Sequence, residues 1–243
     1  MTSVARRWLP PAVFRAVRRL RARRLRSRLP DADLYDPVFS PWLSPEFTRI
    51  YAGVSAHTLV SPDRCWILWS LLRQSCAVPG DVLEVGVYRG GTALLLRHGI
   101  EENWSAGSKT LRLFDTFTGM PETDAARDLH HSGDFFDTSL DAVRRTVGTM
   151  PYVQYYPGTV PATFAQAADV QIAFAHVDVD IYRSVLDTCA FVYPRLASGG
   201  VVVFDDYGFA SCPGARRAVD EFFAAKPEVP LVLPTGQAVL IRL

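Results

Sequence analysis

The sequence predicts an α/β fold, a mostly parallel, doubly wound seven-stranded sheet that ends in an antiparallel hairpin. Three observations carry this expectation. From residue 62 onward, apolar strand-like runs alternate with helical segments, the order that builds a parallel sheet with helices on both faces. The runs are almost continuously apolar, as strands buried on both sides must be. The last two are separated by Pro234-Thr235-Gly236, a hairpin turn. A chain of 243 residues, 49% of them apolar, can bury one sizeable core, so one domain is expected over 57–243.

Taken in order, Val13, Val17, Leu20, Leu25 and Leu29 recur at near-helical spacing among arginines. They predict a basic amphipathic helix over residues 11–29 ended by Pro30, within an N-terminal extension over 1–56. That helix would either dock on a membrane surface or partner, or remain a solvated extension. Trp66, Leu68 and Leu72 mark the next helix, which leads through Pro79-Gly80 into a buried strand from Val82 to Val87. Further strands are expected at Leu111–Phe114, Tyr152–Tyr155, Ile172–Val177, Val201–Phe204, Leu231–Leu233 and Ala238–Ile241. Helices are expected near 92–100, 140–147, 183–195 and 214–225.

Charge narrows the partners. Ten of the 26 basic residues are arginines between Arg6 and Arg28, whereas the first acid is Asp31. After residue 28 the chain carries 16 basic and 25 acidic residues, a net −9. Such a body lacks the cation cluster that a phosphate backbone needs, so no nucleic-acid partner is expected. No apolar stretch reaches the length of a membrane span, and arginines interrupt the N-terminus too often for a secretory signal. A cytoplasmic protein is expected. Cys65, Cys76, Cys189 and Cys212 are far apart, with neither paired spacing nor a histidine partner near in sequence, which reads as reduced thiols and no zinc site.

In a doubly wound sheet, ligands sit beyond the carboxyl ends of the strands. The first strand ends in Glu84-Val85-Gly86-Val87-Tyr88-Arg89-Gly90-Gly91-Thr92. Its glycines allow close backbone approach, and the following helix N-terminus offers free N–H groups to an anion. The G-x-x-x-G-G spacing is wider than the dinucleotide fingerprint, which weakens a nicotinamide reading. The second strand ends in Asp115, 29 residues after Gly86. An acid there either binds ribose hydroxyls or caps a helix. Asp178 and Asp180 close the fourth strand, and Asp205 and Asp206 the fifth. Four adjacent carboxylates repel one another unless a hard cation or arginines such as Arg183, Arg216 or Arg217 hold them ionised. Oxygen donors alone favour Mg²⁺. A cation there would lower the pKa of a substrate hydroxyl.

These segments, together with Phe114-Asp115-Thr116-Phe117-Thr118-Gly119-Met120-Pro121, His176 to Ser184, Gly199 to Tyr207 and Pro213 to Val219, resemble the macrocin O-methyltransferase family. Members of that family methylate sugar hydroxyls of antibiotics with S-adenosylmethionine and Mg²⁺. The resemblance implies a Rossmann-like class I methyltransferase fold. It implies that Glu84, Gly86, Tyr88, Gly90, Gly91 and Thr92 hold the methionine part of the cofactor, Asp115 the ribose, and Gly158 and Thr159 the adenine. Asp178, Asp205 and Asp206 would bind the metal. Catechol-type relatives place a lysine base where this chain has Ile181, so Asp178 or Asp180 takes the proton. The acceptor implied is a small glycosylated natural product, and the N-terminal region would shape the acceptor pocket and the contacts of a homo-oligomer.

The polar stretch from Pro121 to Phe136 is a candidate lid, and His130, His131 and His176 are further candidate bases. Two other functions remain open at this level. One is a cofactor-binding protein without catalysis; the other is a different chemistry at the same site, as in the cephalosporin hydroxylase-like group.

Overall fold

A computed structural model describes residues 40–104 and 108–243. The predicted basic helix over 11–29 lies outside the described residues. Strands β1 (Asp81–Val85), β2 (Leu111–Asp115), β3 (Val153–Pro157), β4 (Ile172–Val177), β5 (Leu196–Phe204), β6 (Leu231–Val232) and β7 (Ala238–Ile241) form one sheet in the order β3-β2-β1-β4-β5-β7-β6. The pairs among β1 to β5 are parallel, whereas β7 runs antiparallel to both β5 and β6. The chain order therefore reverses direction between β1 and β4, which opens a ligand crevice beside those two strand ends.

Among the described residues, six α-helices cover the sheet: α1 (Pro45–Val54), α2 (Pro62–Gln74), α3 (Gly91–Asn103), α4 (Leu140–Val147), α5 (Tyr182–Val192) and α6 (Pro213–Phe223). Their sequences explain the boundaries. Ser44 and Ser139 accept backbone N–H bonds at the starts of α1 and α4, and Pro45, Pro62 and Pro213 occupy first-turn positions where no N–H is needed. Helices α1 to α4 pack one face, with Phe47, Leu68, Leu72, Leu95 and Val143 buried in its core. Helices α5 and α6 and the 3₁₀ stretch Ala162–Ala167 pack the other, around Phe164, Phe191, Val219 and Phe223. At about 25 cal/mol per Å² of apolar surface, burial of this kind drives the fold.

The seven strands and the closing hairpin match the sequence expectation, with shifted ends: β1 stops at Val85 rather than Val87, and β3 runs Val153–Pro157 rather than Tyr152–Tyr155. Strand β5 begins at Leu196 rather than Val201, since Gly199 and Gly200, which dilute its apolar run, still follow a strand path. The expected strand over Leu231–Leu233 holds only two residues, because Leu233 enters the turn by accepting the Gly236 N–H. Helix α1 was not expected. Its apolar residues are few, but Phe47 is buried against Trp66 and Trp69 of α2. No helix among the described residues is long and apolar enough to cross a membrane.

Candidate active site

Parallel register places the chemistry. Val85 lies opposite Phe114 and Val177, and Val177 opposite Phe204. The next residue on each strand is then Gly86, Asp115, Asp178 or Asp205, so four neighbouring strands end in one row. Backbone bonds extend the row past the strand ends: Gly86 N–H donates to Phe114, Asp178 N–H to Val85 and Asp205 N–H to Val177, each at 2.9 Å. A cleft of about 280 Å³ opens above it.

On the β1–β2 side, Asp115 organises the loop. Its Oδ2 accepts the N–H groups of Val87 (2.6 Å) and Tyr88 (2.9 Å), and its Oδ1 that of Phe117 (2.6 Å). Tyr88 holds a positive φ of 51°, so these bonds fix a conformation that a tyrosine seldom adopts. Gly86, Tyr88, Thr92, Asp115, Gly158 and Thr159 line the cleft. Glu84, Gly90 and Gly91 are not among its lining residues. Gly90 is the left-handed cap of α3, and a Cβ there would meet Val147 at 2.8 Å. A Cβ on Gly91 would lie 2.6 Å from the His57 backbone. Both therefore serve close packing of α3. At Gly86, with φ +90°, a Cβ would fall 1.7 Å from the Asp178 carbonyl oxygen, so only glycine lets β1 and β4 approach there.

Beneath the cleft lies a fully buried row of ionisable groups. Register sets Glu84 beside His176, and His176 Nδ1 donates to Glu84 Oε1 at 2.9 Å. Its Nε2 stands 3.6 Å from Asp205 Oδ1. Burial disfavours a charged imidazole, but Asp205 and Glu84 outweigh it and push His176 up to about 10. His176 is thus a buried counter-charge that does not line the cleft, which removes it from the candidate bases. Asp205 accepts Gln237 Nε2 at 2.8 Å and pairs with Arg64. Burial opposes its ionisation, yet His176, Arg64 and Gln237 hold it below the usual carboxylate range. The cationic partner is therefore Arg64 of α2, not the arginines suggested by the sequence. Arg183 and Arg217 pair with Asp187 and Glu221 on their own helices, and Arg216 lies over the Tyr207 ring.

The other three aspartates line the cleft together, and Asp206 Oδ2 accepts the Asp180 N–H at 2.9 Å. Burial, with added repulsion from Asp205, pushes Asp178 well above the ordinary carboxylate range. Burial and the charges of Asp180 and Asp178 do the same to Asp206. Burial also raises Asp180. Arg64 and His176 sit against Asp205, His176 also against Glu84, and His130 stands 3.6 Å from Asp180, whereas no basic side chain pairs with Asp178 or Asp206 among the described residues. The charge deficit falls on Asp178 and Asp206, a donor set of hard oxygens lacking positive charge.

The stretch predicted as a lid follows β2 without helix or strand. The Met120 N–H donates to the Asp134 carbonyl at 2.7 Å and the Gly133 N–H to the Met120 carbonyl at 2.9 Å, which folds its middle into a tight loop. Asp128 Oδ1 accepts the Tyr182 N–H at 2.8 Å, and Tyr88 Oη donates to Asp137 at 2.8 Å. These bonds hold Met120, Pro121, His130 and Phe135 against the cleft, whereas His131 is exposed and away from it. The opposite wall, His57, Thr58, Leu59, Val60 and Arg64, carries no sequence signal, and packing of Gly91 of α3 against His57 brings it there.

A search against known families matches residues 53–231 to the macrocin O-methyltransferase (TylF) model. The chain belongs to that family. Its relatives include mycinamicin III 3''-O-methyltransferase of Micromonospora griseorubida, 32% identical over 69% of this chain and 70% of the relative. Demethyldecarbamoylnovobiocin O-methyltransferase of Streptomyces niveus is 34% identical over 70% of this chain and 69% of its own length. Among solved structures, the O-methyltransferase NovP superimposes with a TM-score of 0.69 at 28% identity, covering 76% of this chain and 82% of that one. The calicheamicin methyltransferase CalS11, at 19% identity and a TM-score of 0.64, shares the fold. This member of the macrocin O-methyltransferase family is accordingly an O-methyltransferase with the class I methyltransferase fold.

Proposed function

We propose that the enzyme transfers a methyl group from S-adenosylmethionine to a hydroxyl of a glycosylated natural product, with Mg²⁺ held by Asp178, Asp205 and Asp206. The observation that carries this reading is the row of strand ends, which sets the glycine loop and Asp115 beside Asp178, Asp180 and Asp206 in one cleft, with Asp205 directly beneath. The named acceptors of the relatives, mycinamicin III, demethyldecarbamoylnovobiocin and a rhamnosyl tetracenomycin, support the substrate class. Four free cysteines, none bridged, suit a cytoplasmic enzyme.

The residues suit the cofactor, and of the three proposed metal ligands Asp178 and Asp206 face the cleft while Asp205 lies beneath it against Arg64 and Gln237. Glu84 Oε2, on β1 just before the glycine loop, is buried without a hydrogen-bond partner and is an acceptor suited to the ammonium of the methionine part, although burial raises the carboxyl's proton affinity. Asp115, ordered by backbone N–H groups, faces the cleft and suits ribose hydroxyls, while Gly158 and Thr159 flank the adenine end. The unneutralised Asp178 and Asp206 suit a divalent cation. Such a cation supplies charge that acidifies and orients the acceptor hydroxyl. S-adenosylmethionine supplies the electrophilic methyl.

Asp180 is the base. It lines the cleft, its burial raises its proton affinity, and Cys212 Sγ donates to its Oδ1 at 3.3 Å. With its neighbours fixed, it takes the acceptor hydroxyl proton with little reorganisation, the positional economy on which methyl transfer relies. The walls at His57 to Val60, Met120 to Pro121 and Phe209 shape the acceptor side.

Labelled S-adenosylmethionine incubated with demethyl macrolide and aminocoumarin glycosides tests the proposal. O-linked label that disappears with chelator and returns with Mg²⁺ is expected. Label transfer indifferent to chelator would overturn the metal assignment, and cofactor binding without transfer across the panel would overturn the reaction.

A further inference from the structure

Beside the oxygen-rich aspartates stands a donor set of another kind. His130 Nε2, Asp180 Oδ1 and Cys212 Sγ come from the segment after β2, the turn after β4 and the entry to α6. They are separated by 3.6 Å (His130 to Asp180), 3.7 Å (His130 to Cys212) and 3.3 Å (Asp180 to Cys212). A tetrahedral zinc ion with bonds of about 2.3 Å to sulfur and about 2.0 to 2.1 Å to nitrogen and oxygen needs donor separations of about 3.3 to 3.6 Å. The edges of the triangle already present lie within about 0.3 Å of those of one face of that tetrahedron.

An independent feature of the same histidine points the same way. Asp134 Oδ2 accepts His130 Nδ1 at 3.1 Å and is itself anchored by the His131 N–H at 3.0 Å. With Nδ1 as donor, Nε2 keeps its lone pair directed at Asp180 and Cys212. A carboxylate behind a histidine is the usual support of a zinc ligand. All three residues line the cleft.

We propose that His130, Asp180 and Cys212 form a zinc site separate from the aspartate cluster, and that zinc bound there occupies Asp180 and blocks methyl transfer. Sulfur and imidazole donors favour zinc over Mg²⁺, which takes oxygen ligands. On binding, the Cys212 thiol proton passes to solvent and the thiolate bonds the metal. The inhibitory effect rests on Asp180 as base; the site itself does not.

Cobalt(II), the coloured substitute for zinc, is added to the full chain saturated with Mg²⁺. A thiolate-to-cobalt charge-transfer absorption is expected, retained in Cys76→Ser, whose thiol is the exposed one, and lost in Cys212→Ser. Absorption that survives Cys212→Ser overturns the site. Asp134→Asn, outside the cleft lining, is expected to weaken zinc binding by about ten- to a hundredfold in competition with a chromogenic chelator; unchanged affinity overturns it. The zinc concentration that halves methyl transfer is expected to rise by the same factor. Weakened binding with unshifted inhibition overturns the block at Asp180. The binding readouts need no acceptor, so failure of the proposed reaction leaves them interpretable.

Discussion

At the scale of single residues, the cleft depends on side chains whose roles differ despite similar sequence signals. Asp180→Asn keeps shape but cannot take a proton, so kcat should fall by about 10²- to 10⁴-fold. Isothermal titration should show unchanged S-adenosylmethionine affinity, and a variant of near-normal kcat would remove Asp180 as base. Gly86 and Gly90 look alike in the loop, yet only Gly86 lies at the contact between two strand ends. Gly86→Ala should cost about 3 kcal/mol in urea unfolding, because the new methyl meets the Asp178 carbonyl and the backbone keeps a positive φ. A loss below about 1 kcal/mol would show that the turn relaxes freely. The acidic residues of the site were legible in sequence because they sit directly after apolar strands. Arg64 was not, since it lies 141 residues from the aspartate it pairs with.

At the scale of elements, the C-terminal strand is fastened by an ion pair that titrates. Glu228 accepts Tyr193 Oη at 2.7 Å and pairs with Arg242, just beyond β7. The Tyr193 hydrogen bond, helped by Arg242, lowers the Glu228 pKa from 4.5 to about 2. A depressed carboxyl stabilises the fold above its unfolded value and loses that contribution as pH falls through the folded value. Glu228→Gln should therefore melt at a lower temperature than the parent at neutral pH, with the gap closing between about pH 4.5 and 2. A constant gap down to low pH would assign the loss to packing. Strand positions were readable from apolar runs, and most helices from periodicity. Helix α1 escaped because its anchoring depends on Phe47 meeting Trp66 and Trp69 across a turn.

At the scale of the whole molecule, two cores on opposite faces of one sheet hold the strand ends in register. Phe114 is fully buried, stacks on Tyr156 at 4.4 Å and meets Phe164 and Phe191 edge-on. Phe114→Ala should lower stability by about 3 to 5 kcal/mol, measured by denaturant unfolding, with loss of cofactor binding as the adjoining Asp115 shifts. Cofactor at about 100 times its Kd should raise the unfolding free energy of the parent chain by about 2.7 kcal/mol. Absence of any stabilisation would exclude the cleft as a cofactor site.

The sequence by itself determined the order of strands and helices, the acidic strand ends, the glycine loop and the family, because each is a short-range pattern in which neighbours along the chain share one local structure. Only the tertiary structure decided which charges meet. The Arg64 to Asp205 pair, the His176 bridge, and the approach of His130 to Cys212, 82 residues apart, follow from strand register and loop path. Those are fixed by the packing of both cores at once, and no local run of residues encodes them.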